Sequence, residues 1–187
     1  DKIGNKLDEL NKSGQGHNTV RYYNGADPDD IWAVKSAGID PSTGRELFYD
    51  KEGNYTYDFS YDNEVICGNT RPKIEGVIGT SLNYKGFSVS MNFRYQTGAS
   101  VFNEALFNKV ENISVSGLNK NQDKRALYDR WQKPGDIVKF KRIDDVSVTP
   151  MSSRFVADDN TLECKSISLG YETTQATWLK SVGISSF

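Results

Sequence analysis

The sequence is poor in the residues that build metal, disulfide and catalytic sites. Its one histidine, His17, lies in a Gly/Asn-rich stretch without a second histidine or a cysteine beside it, so we expect no metal site. Its two cysteines, Cys67 and Cys164, could form one disulfide or remain two free thiols, and both alternatives stay open. We find no Ser/His/Asp order, no glycine-rich phosphate loop and no assignable acid–base pair of carboxylates. We therefore expect no enzyme activity and no cofactor.

Excess positive charge and long apolar runs are also missing. The 187 residues carry 23 basic and 25 acidic side chains, and no Lys/Arg stripe stands out, which argues against a nucleic-acid-binding protein. Without a run of about 18 apolar residues, a membrane-spanning helix is not expected, and the first ten residues do not resemble a secretory signal. The sequence lacks an initiating methionine, and residues 184–187 read as the first residues of another strand. We expect a fragment of a longer protein.

The clearest pattern is a period of two through residues 75–98. From Phe87 to Tyr95 the odd positions are apolar and the even positions are serine, asparagine and arginine, which predicts a strand with one apolar and one polar face. Positions 78–84 alternate in the same way, and Lys85 with Gly86 supplies a short turn. The segment is predicted to be an antiparallel hairpin.

Two architectures compete for this hairpin. In a soluble sandwich the apolar face packs on a second sheet, whereas in an outer-membrane barrel it contacts lipid and aromatic residues gather near the membrane boundaries. Tyr84, Phe87 and Tyr95 lie near strand ends, as such an aromatic girdle requires.

The first 75 residues read as a long loop region with a small β-meander. Residues 1–12 predict a short helix or the tail of a strand, and short alternating segments between Ile31 and Thr56 are separated by turns at 40–44 and 50–54. Asp50, Glu52 and Asn54 loosely resemble a calcium loop, but a turn is the better interpretation because the distal glutamate is missing. Residues 59–71 are expected to be irregular.

Residues 99–161 form a second long connection. Helical spacing is present in 102–112 and 122–131, and Pro134 with Gly135 ends the second helix. Trp131 is expected to be a packing anchor within its own loop, and residues 138–143 are expected to be a short strand region. A connection of this length with its own helices is an elaborated insertion.

The last segment, 162–187, repeats the design of the hairpin. Ile167, Leu169 and Tyr171 alternate with small or polar residues, and 173–183 is a turn, with Trp178 and Leu179 as interfacial anchors, before a new strand begins. Long and short connections therefore alternate, as in outer-membrane barrels, where short turns are periplasmic and long loops extracellular. The predicted fold class is mainly β: antiparallel strands and hairpins of a partial transmembrane β-barrel, with long extracellular loops that carry short helices.

Several runs in this order resemble a known family. The runs 31–50, 68–72 (GNTRP), 87–98, 130–136 (RWQKPGD) and 153–156 (SRFV), followed by the strand 166–171, closely resemble the C-terminal part of SusC/RagA-type TonB-dependent transporters. The resemblance implies a Bacteroidota outer membrane, a barrel of about 22 strands with a plug, and import of oligosaccharide or peptide fragments with a SusD-like surface lipoprotein. The plug, the segment that contacts TonB and most barrel strands are absent from the sequence.

The resulting hypothesis is a transporter segment whose strands contact outer-membrane lipid and whose loops touch ligand or the lipoprotein. A ligand, if bound, would meet exposed aromatic and acidic residues of the first loop, namely Tyr22, Tyr23, Asp29 and Trp32. The expected lipid-facing residues are Ile78, Leu82, Tyr84, Phe87, Val89, Met91, Phe93, Tyr95, Ile167, Leu169 and Tyr171. The alternative is a soluble, secreted or surface-attached β-rich carbohydrate-binding module.

Overall fold

The structure is a computed structural model that describes residues 2–117, 119–172, 181 and 183. It divides into a loop unit, Asp1–Arg71 with Ser100–Asp158, and a sheet unit, Pro72–Ala99 with Asp159–Phe187. Among the described residues, no helix is both long and apolar enough to cross a membrane.

The loop unit begins with helix α1, Lys2–Gly14. Leucines at positions 7 and 10 recur at helical spacing, and Gly16, with φ of 77°, takes the left-handed conformation that ends the helix. Strand β1 (Asp30–Val34) then pairs antiparallel with β5 (Glu64–Asn69). The expectation that 59–71 is irregular is therefore wrong for 64–69, because pairing with a distant strand orders this segment.

A three-stranded meander lies between β1 and β5 in the order of the sequence. Strands β2 (Ser36–Ile39), β3 (Glu46–Tyr49) and β4 (Tyr55–Thr56) pair in that order, as the short alternating segments predicted. The turn from β3 to β4 is closed by Asp50, whose carboxylate accepts hydrogen bonds from the backbone and side-chain amides of Asn54, at 2.8 and 3.1 Å. The carboxylate therefore acts as a turn residue, as the sequence indicated.

The second connection, 103–155, contains shorter helices than its spacing predicts. A π-helical segment covers Leu106–Glu111 and helix α2 covers Arg125–Tyr128, with 3₁₀ turns at Val115–Gly117 and Ser153–Phe155. Val110, Ala126 and Phe140 form the buried core between them. Residues 138–143 do not form the expected strand; Phe140 makes one isolated bridge, to Arg130, because its apolar side chain serves this core.

The sheet unit is built from β6 (Ile74–Tyr84), β7 (Phe87–Phe102) and β8 (Val156–Tyr171), hydrogen-bonded in that order. The hairpin extends beyond 76–98 at both open ends, and β8 begins six residues before Leu162. Asn92 contacts Ser166 while Gln96 contacts Asp159, so β8 runs antiparallel to β7. The expected turn at 173–183, its anchors Trp178 and Leu179, and the next strand lie outside the described residues, except for Ser181 and Gly183 themselves.

Candidate functional site

One face of the three-stranded sheet collects the apolar side chains. Thr80 lies opposite Met91 and Leu82 opposite Val89, so the even positions of β6 share a face with the odd positions of β7. The rings of Phe87 and Tyr171 are 4.5 Å apart, which brings the odd positions of β8 to the same face. All eleven residues expected to face lipid therefore lie on this apolar face, although their contact with lipid stays a prediction.

The apolar face is long enough to cross a membrane core on β7 but not on β8. From Phe87 to Tyr95 it covers nine residues of β7, and about 9–11 residues suffice for a tilted strand to cross a bilayer. On β8 it ends at Lys165, which pairs with Glu163 at 2.7 Å. Glu163 and Lys165 occupy the positions at which the alternation of Ile167, Leu169 and Tyr171 would continue. Their charges mark the end of the apolar face in the sequence, and the sequence analysis missed this mark.

The opposite, polar face is a hydrogen-bonded surface of small and polar side chains. The amide of Asn92 donates to the hydroxyl of Ser166 at 3.0 Å, and Arg94 pairs with Glu75 at 3.0 Å. Gly170 lies against Ser88, since a Cβ there would be 2.5 Å from the serine hydroxyl. The face therefore suits contact with water.

The loop unit contains a cavity of about 480 Å³ between α1 and residues 21–28, here called the tyrosine pocket. Tyr22 and Tyr23 lie in its wall, each roughly half exposed. Trp32 lies beside Tyr23, with the ring centroids 4.9 Å apart, and is not part of the lining. Asp29 is outside the lining as well, in an ion pair of 2.5 Å with Arg71. Two of the four expected ligand residues, Tyr22 and Tyr23, therefore line one cavity. The other two lie outside its lining, where Trp32 contacts Tyr23 and Asp29 pairs with Arg71.

Polar contacts hold the pocket wall in place. The side-chain amide of Asn11 donates to the Tyr22 carbonyl at 2.9 Å and accepts from its N–H at 2.7 Å, which fastens α1 to the loop. The buried Arg21 donates to both carboxylate oxygens of Glu64, at 2.7 and 2.6 Å. A bidentate pair of this kind is the stronger class of ion pair.

A second buried cluster, which the sequence analysis missed, joins three separate stretches of the loop unit. Arg154 donates to Glu46 at 2.8 Å and to Glu111 at 2.6 Å. Ser152 donates to Glu46 and Thr149 to Glu111, at 2.6 and 3.0 Å. Burial lowers the pKa of Arg154, but its bonds to the two carboxylates outweigh burial and leave that pKa raised. The pairing is invisible in sequence because the partners are 43 and 108 positions apart.

Trp131 is a packing anchor, but it joins the two loops and does not act only within its own loop as expected. Its indole N–H donates to the carbonyl of Pro41 at 2.8 Å, and its side chain is 9% exposed. Gly44, with φ of 72°, lies against the ring, where a Cβ would be only 2.5 Å away. The tryptophan therefore fastens the 40–44 turn of the first loop to the second.

Both cysteines are free thiols in the structure. Burial raises the pKa of the Cys67 thiol, whereas Cys164 is exposed on β8. Among the described residues, no group of three or more histidine, cysteine, aspartate or glutamate side chains is placed to hold a metal ion.

Comparison with known proteins relates the chain to part of a much longer one. No protein-family model matches. A TonB-dependent receptor of Formosa agariphila is 25% identical over 152 residues, which cover 80% of this chain and 14% of the receptor. Structures of the RagAB peptide importer in the open-open state and of the RagAB peptide transporter match with TM-scores of 0.64.

These structural matches show the fold. Each is 20% identical, and they cover 77% and 80% of this chain but only 16% and 17% of the chains they match. The resemblance found in the sequence motifs is thereby confirmed: the chain is similar, in sequence and in fold, to one segment of the SusC/RagA-type TonB-dependent transporters.

Proposed function

We propose that the chain is part of the wall and outer loops of a TonB-dependent transporter in a Gram-negative outer membrane of the Bacteroidota type. It takes part in import of peptide or glycan fragments and has no catalytic role. The named relatives, a TonB-dependent receptor and a peptide importer, support this assignment. The transporter contacts TonB through a segment outside this chain.

The observation that carries the proposal is the apolar face of β6–β8. Ile78, Leu82 and Leu169 are 59%, 66% and 79% exposed on it. A soluble sandwich would bury such a face under a second sheet, whereas lipid can cover it directly. The polar face then meets the hydrated interior of the barrel.

The lengths of the connections support an extracellular placement of the two long loops. Strand β6 begins, β7 ends and β8 begins at the same end of the sheet, and both long connections, before residue 74 and at 103–155, meet that end. The opposite end of the β6–β7 hairpin has only the Lys85–Gly86 turn. In outer-membrane barrels the long loops are extracellular. We therefore propose that the two long connections are extracellular, where a SusD-like lipoprotein and arriving solute could touch them.

Fractionation of the native membrane tests the assignment. An antibody to residues 122–136 should detect, in the outer-membrane fraction, a denatured band several times larger than the 21.0 kDa of this chain. Antibody against a periplasmic protein controls for contamination between fractions. A 21.0 kDa band in the soluble fraction would contradict the transporter and favour the carbohydrate-binding module.

A further inference from the structure

The described lining of the tyrosine pocket offers one charged side chain, and that charge is paired. Of the ten described residues that line it, Arg21 alone is charged, and its side chain is 1% exposed and paired with Glu64. Asp27, between the lining residues Ala26 and Pro28, accepts a hydrogen bond from the Asp29 N–H at 3.0 Å and lies 3.8 Å from Arg71. A charged ligand would lose its hydration in the pocket without gaining a free partner of opposite sign among the lining residues, which disfavours charged ligands.

The remaining lining is mostly apolar. The apolar lining residues are Ile3, Leu7, Ala26 and Pro28, and the residues with polar side-chain groups are Asn24, the two tyrosines and the buried Arg21. A sugar presents a hydroxyl at nearly every carbon, and each hydroxyl buried against aliphatic carbon would lack a hydrogen-bond partner. An aliphatic or aromatic group gains from the same burial.

The aromatic wall is also fixed before any ligand arrives. Asn11 holds the backbone of Tyr22 from both sides, and the Trp32 ring braces Tyr23. The backbone of Tyr22 and the ring of Tyr23 are therefore positioned before binding, so less freedom is lost when a ligand binds, which favours affinity at a small contact area. The volume of about 480 Å³ lies within the usual range of small-ligand pockets.

We infer that the tyrosine pocket binds an uncharged aliphatic or aromatic side chain of a short peptide. Tyr22 and Tyr23 contact that side chain with their rings, Leu7 packs on it from α1, and Asn24 is available to the adjoining peptide group. This inference rests on the proposed function, since it assumes that the loop unit meets a solute before import.

The test uses the full-length transporter, purified in detergent with its lipoprotein partner, and calorimetric titration. The probes are two blocked tripeptides, N-acetyl-Gly-Leu-Gly-amide and N-acetyl-Gly-Glu-Gly-amide, and maltotriose. We expect the leucine peptide to bind at least tenfold more tightly than the other two probes. Tyr23→Ala should weaken leucine-peptide binding about tenfold, while Tyr23→Phe retains it. Tyr128→Ala, at a tyrosine 82% exposed outside the pocket, should change nothing.

A change of preference separates binding from misfolding. Leu7→Lys places a positive charge in the lining and should reverse the preference, so that the glutamate peptide binds more tightly. Equal binding of all three probes, binding unaffected by Tyr23→Ala, or Tyr23-dependent binding of maltotriose would each overturn the inference. Because fractionation decides the transporter assignment independently, a failed titration with an outer-membrane location refutes the pocket alone.

Discussion

At the scale of single residues, a few buried charges hold the loop unit together. Arg154 lies between Glu46 and Glu111, with its side chain 11% exposed, and its removal would leave two buried carboxylates without a cation. Breaking a buried pair in this way typically costs about 3–5 kcal/mol. Arg154 belongs to the run 153–156, one of the runs that resemble the family. Its contacts with Glu46 and Glu111 give this run a structural role.

Arg154→Met should destabilise the loop unit by about 3–5 kcal/mol, since the methionine fills similar space without the charge. The measurement is native-state cleavage of the 103–155 connection by thermolysin in the full-length protein. Arg125→Met, in an exposed pair with Asp123, is the matched control and should leave the cleavage rate unchanged, because solvent screens exposed pairs. Equal effects of the two variants would show that the cluster does not stabilise the loop unit.

Asp40 makes the 40–44 turn sensitive to acid. Its carboxylate accepts bonds from the hydroxyls of Tyr57, Ser42 and Thr43, and the Tyr57 bond is the main reason that the pKa of Asp40 lies far below its ordinary value. Because the folded pKa is depressed, its contribution to stability is present above the unfolded pKa near 4 and is lost as pH falls below it.

Hydrogen exchange of residues 40–44, corrected for the intrinsic rate, should therefore accelerate as pH falls below about 4. Asp40→Asn should exchange faster at neutral pH and lose this dependence. The exposed Asp144, which pairs with Arg142 outside the turn, provides the control variant Asp144→Asn. A turn whose exchange follows the same pH profile with and without Asp40 would exclude the carboxylate as the cause.

Sequence reasoning identified residues of the tyrosine pocket but not which of the expected residues line it and which lie outside it. Exposed tyrosines beside carboxylates pointed to the first loop, and Tyr22 with Tyr23 do line a cavity. Trp32 and Asp29 have the same side-chain chemistry but different partners, Tyr23 and Arg71. A linear pattern reports residue types, whereas the partner of a side chain is set by tertiary contacts.

At the scale of elements, strands with one apolar face were predictable and strands without alternation were not. Strands β6 and β7, and β8 from Ile167 to Tyr171, present one apolar face, so the period of two is visible in each of these stretches. Strand β5 has adjacent apolar residues, Val65 and Ile66, and its partner β1 lies about 30 positions earlier. Its conformation depends on that long-range pairing, which local propensity does not report.

Arginine substitutions on β7 test what covers the apolar face. Val89→Arg and Met91→Arg should each cost about 2–4 kcal/mol if that face meets the middle of a bilayer. Urea titration of the folded full-length barrel in lipid vesicles measures the loss. The matched control is Ser90→Arg, which lies between them on the polar face and should be tolerated. Tolerance of arginine at all three positions would contradict contact between the apolar face and lipid.

At the scale of the whole molecule, the sheet unit is incomplete by itself. In the order β6–β7–β8 the outer edges of β6 and β8 have no neighbouring strand among the described residues. Free backbone donors and acceptors are costly in lipid and promote aggregation in water. The relatives that the chain matches are several times longer than the chain.

The 187-residue segment expressed alone should therefore aggregate in buffer and should not form a species in detergent whose gel mobility changes on heating. The full-length chain, treated identically, should show that heat-dependent shift. The isolated segment lacks the rest of the barrel and the plug, and is otherwise treated identically. A segment that is monomeric in buffer and stable without detergent would contradict a role in a barrel wall.

The β6–β7 turn has a consequence for the order of folding. Lys85 and Gly86, with φ of 47° and 86°, form a two-residue connection whose twist matches that of paired strands, so this hairpin can close within about 1–10 μs. Strand β8 is separated from β7 by more than 50 residues, and closing that length unaided is slower and entropically costly. The Asn103 N–H donates to the Phe155 carbonyl at 2.7 Å and joins the two ends of the connection. Once the loop has folded, β8 reaches β7 as a neighbour, and the rate of loop folding limits sheet growth.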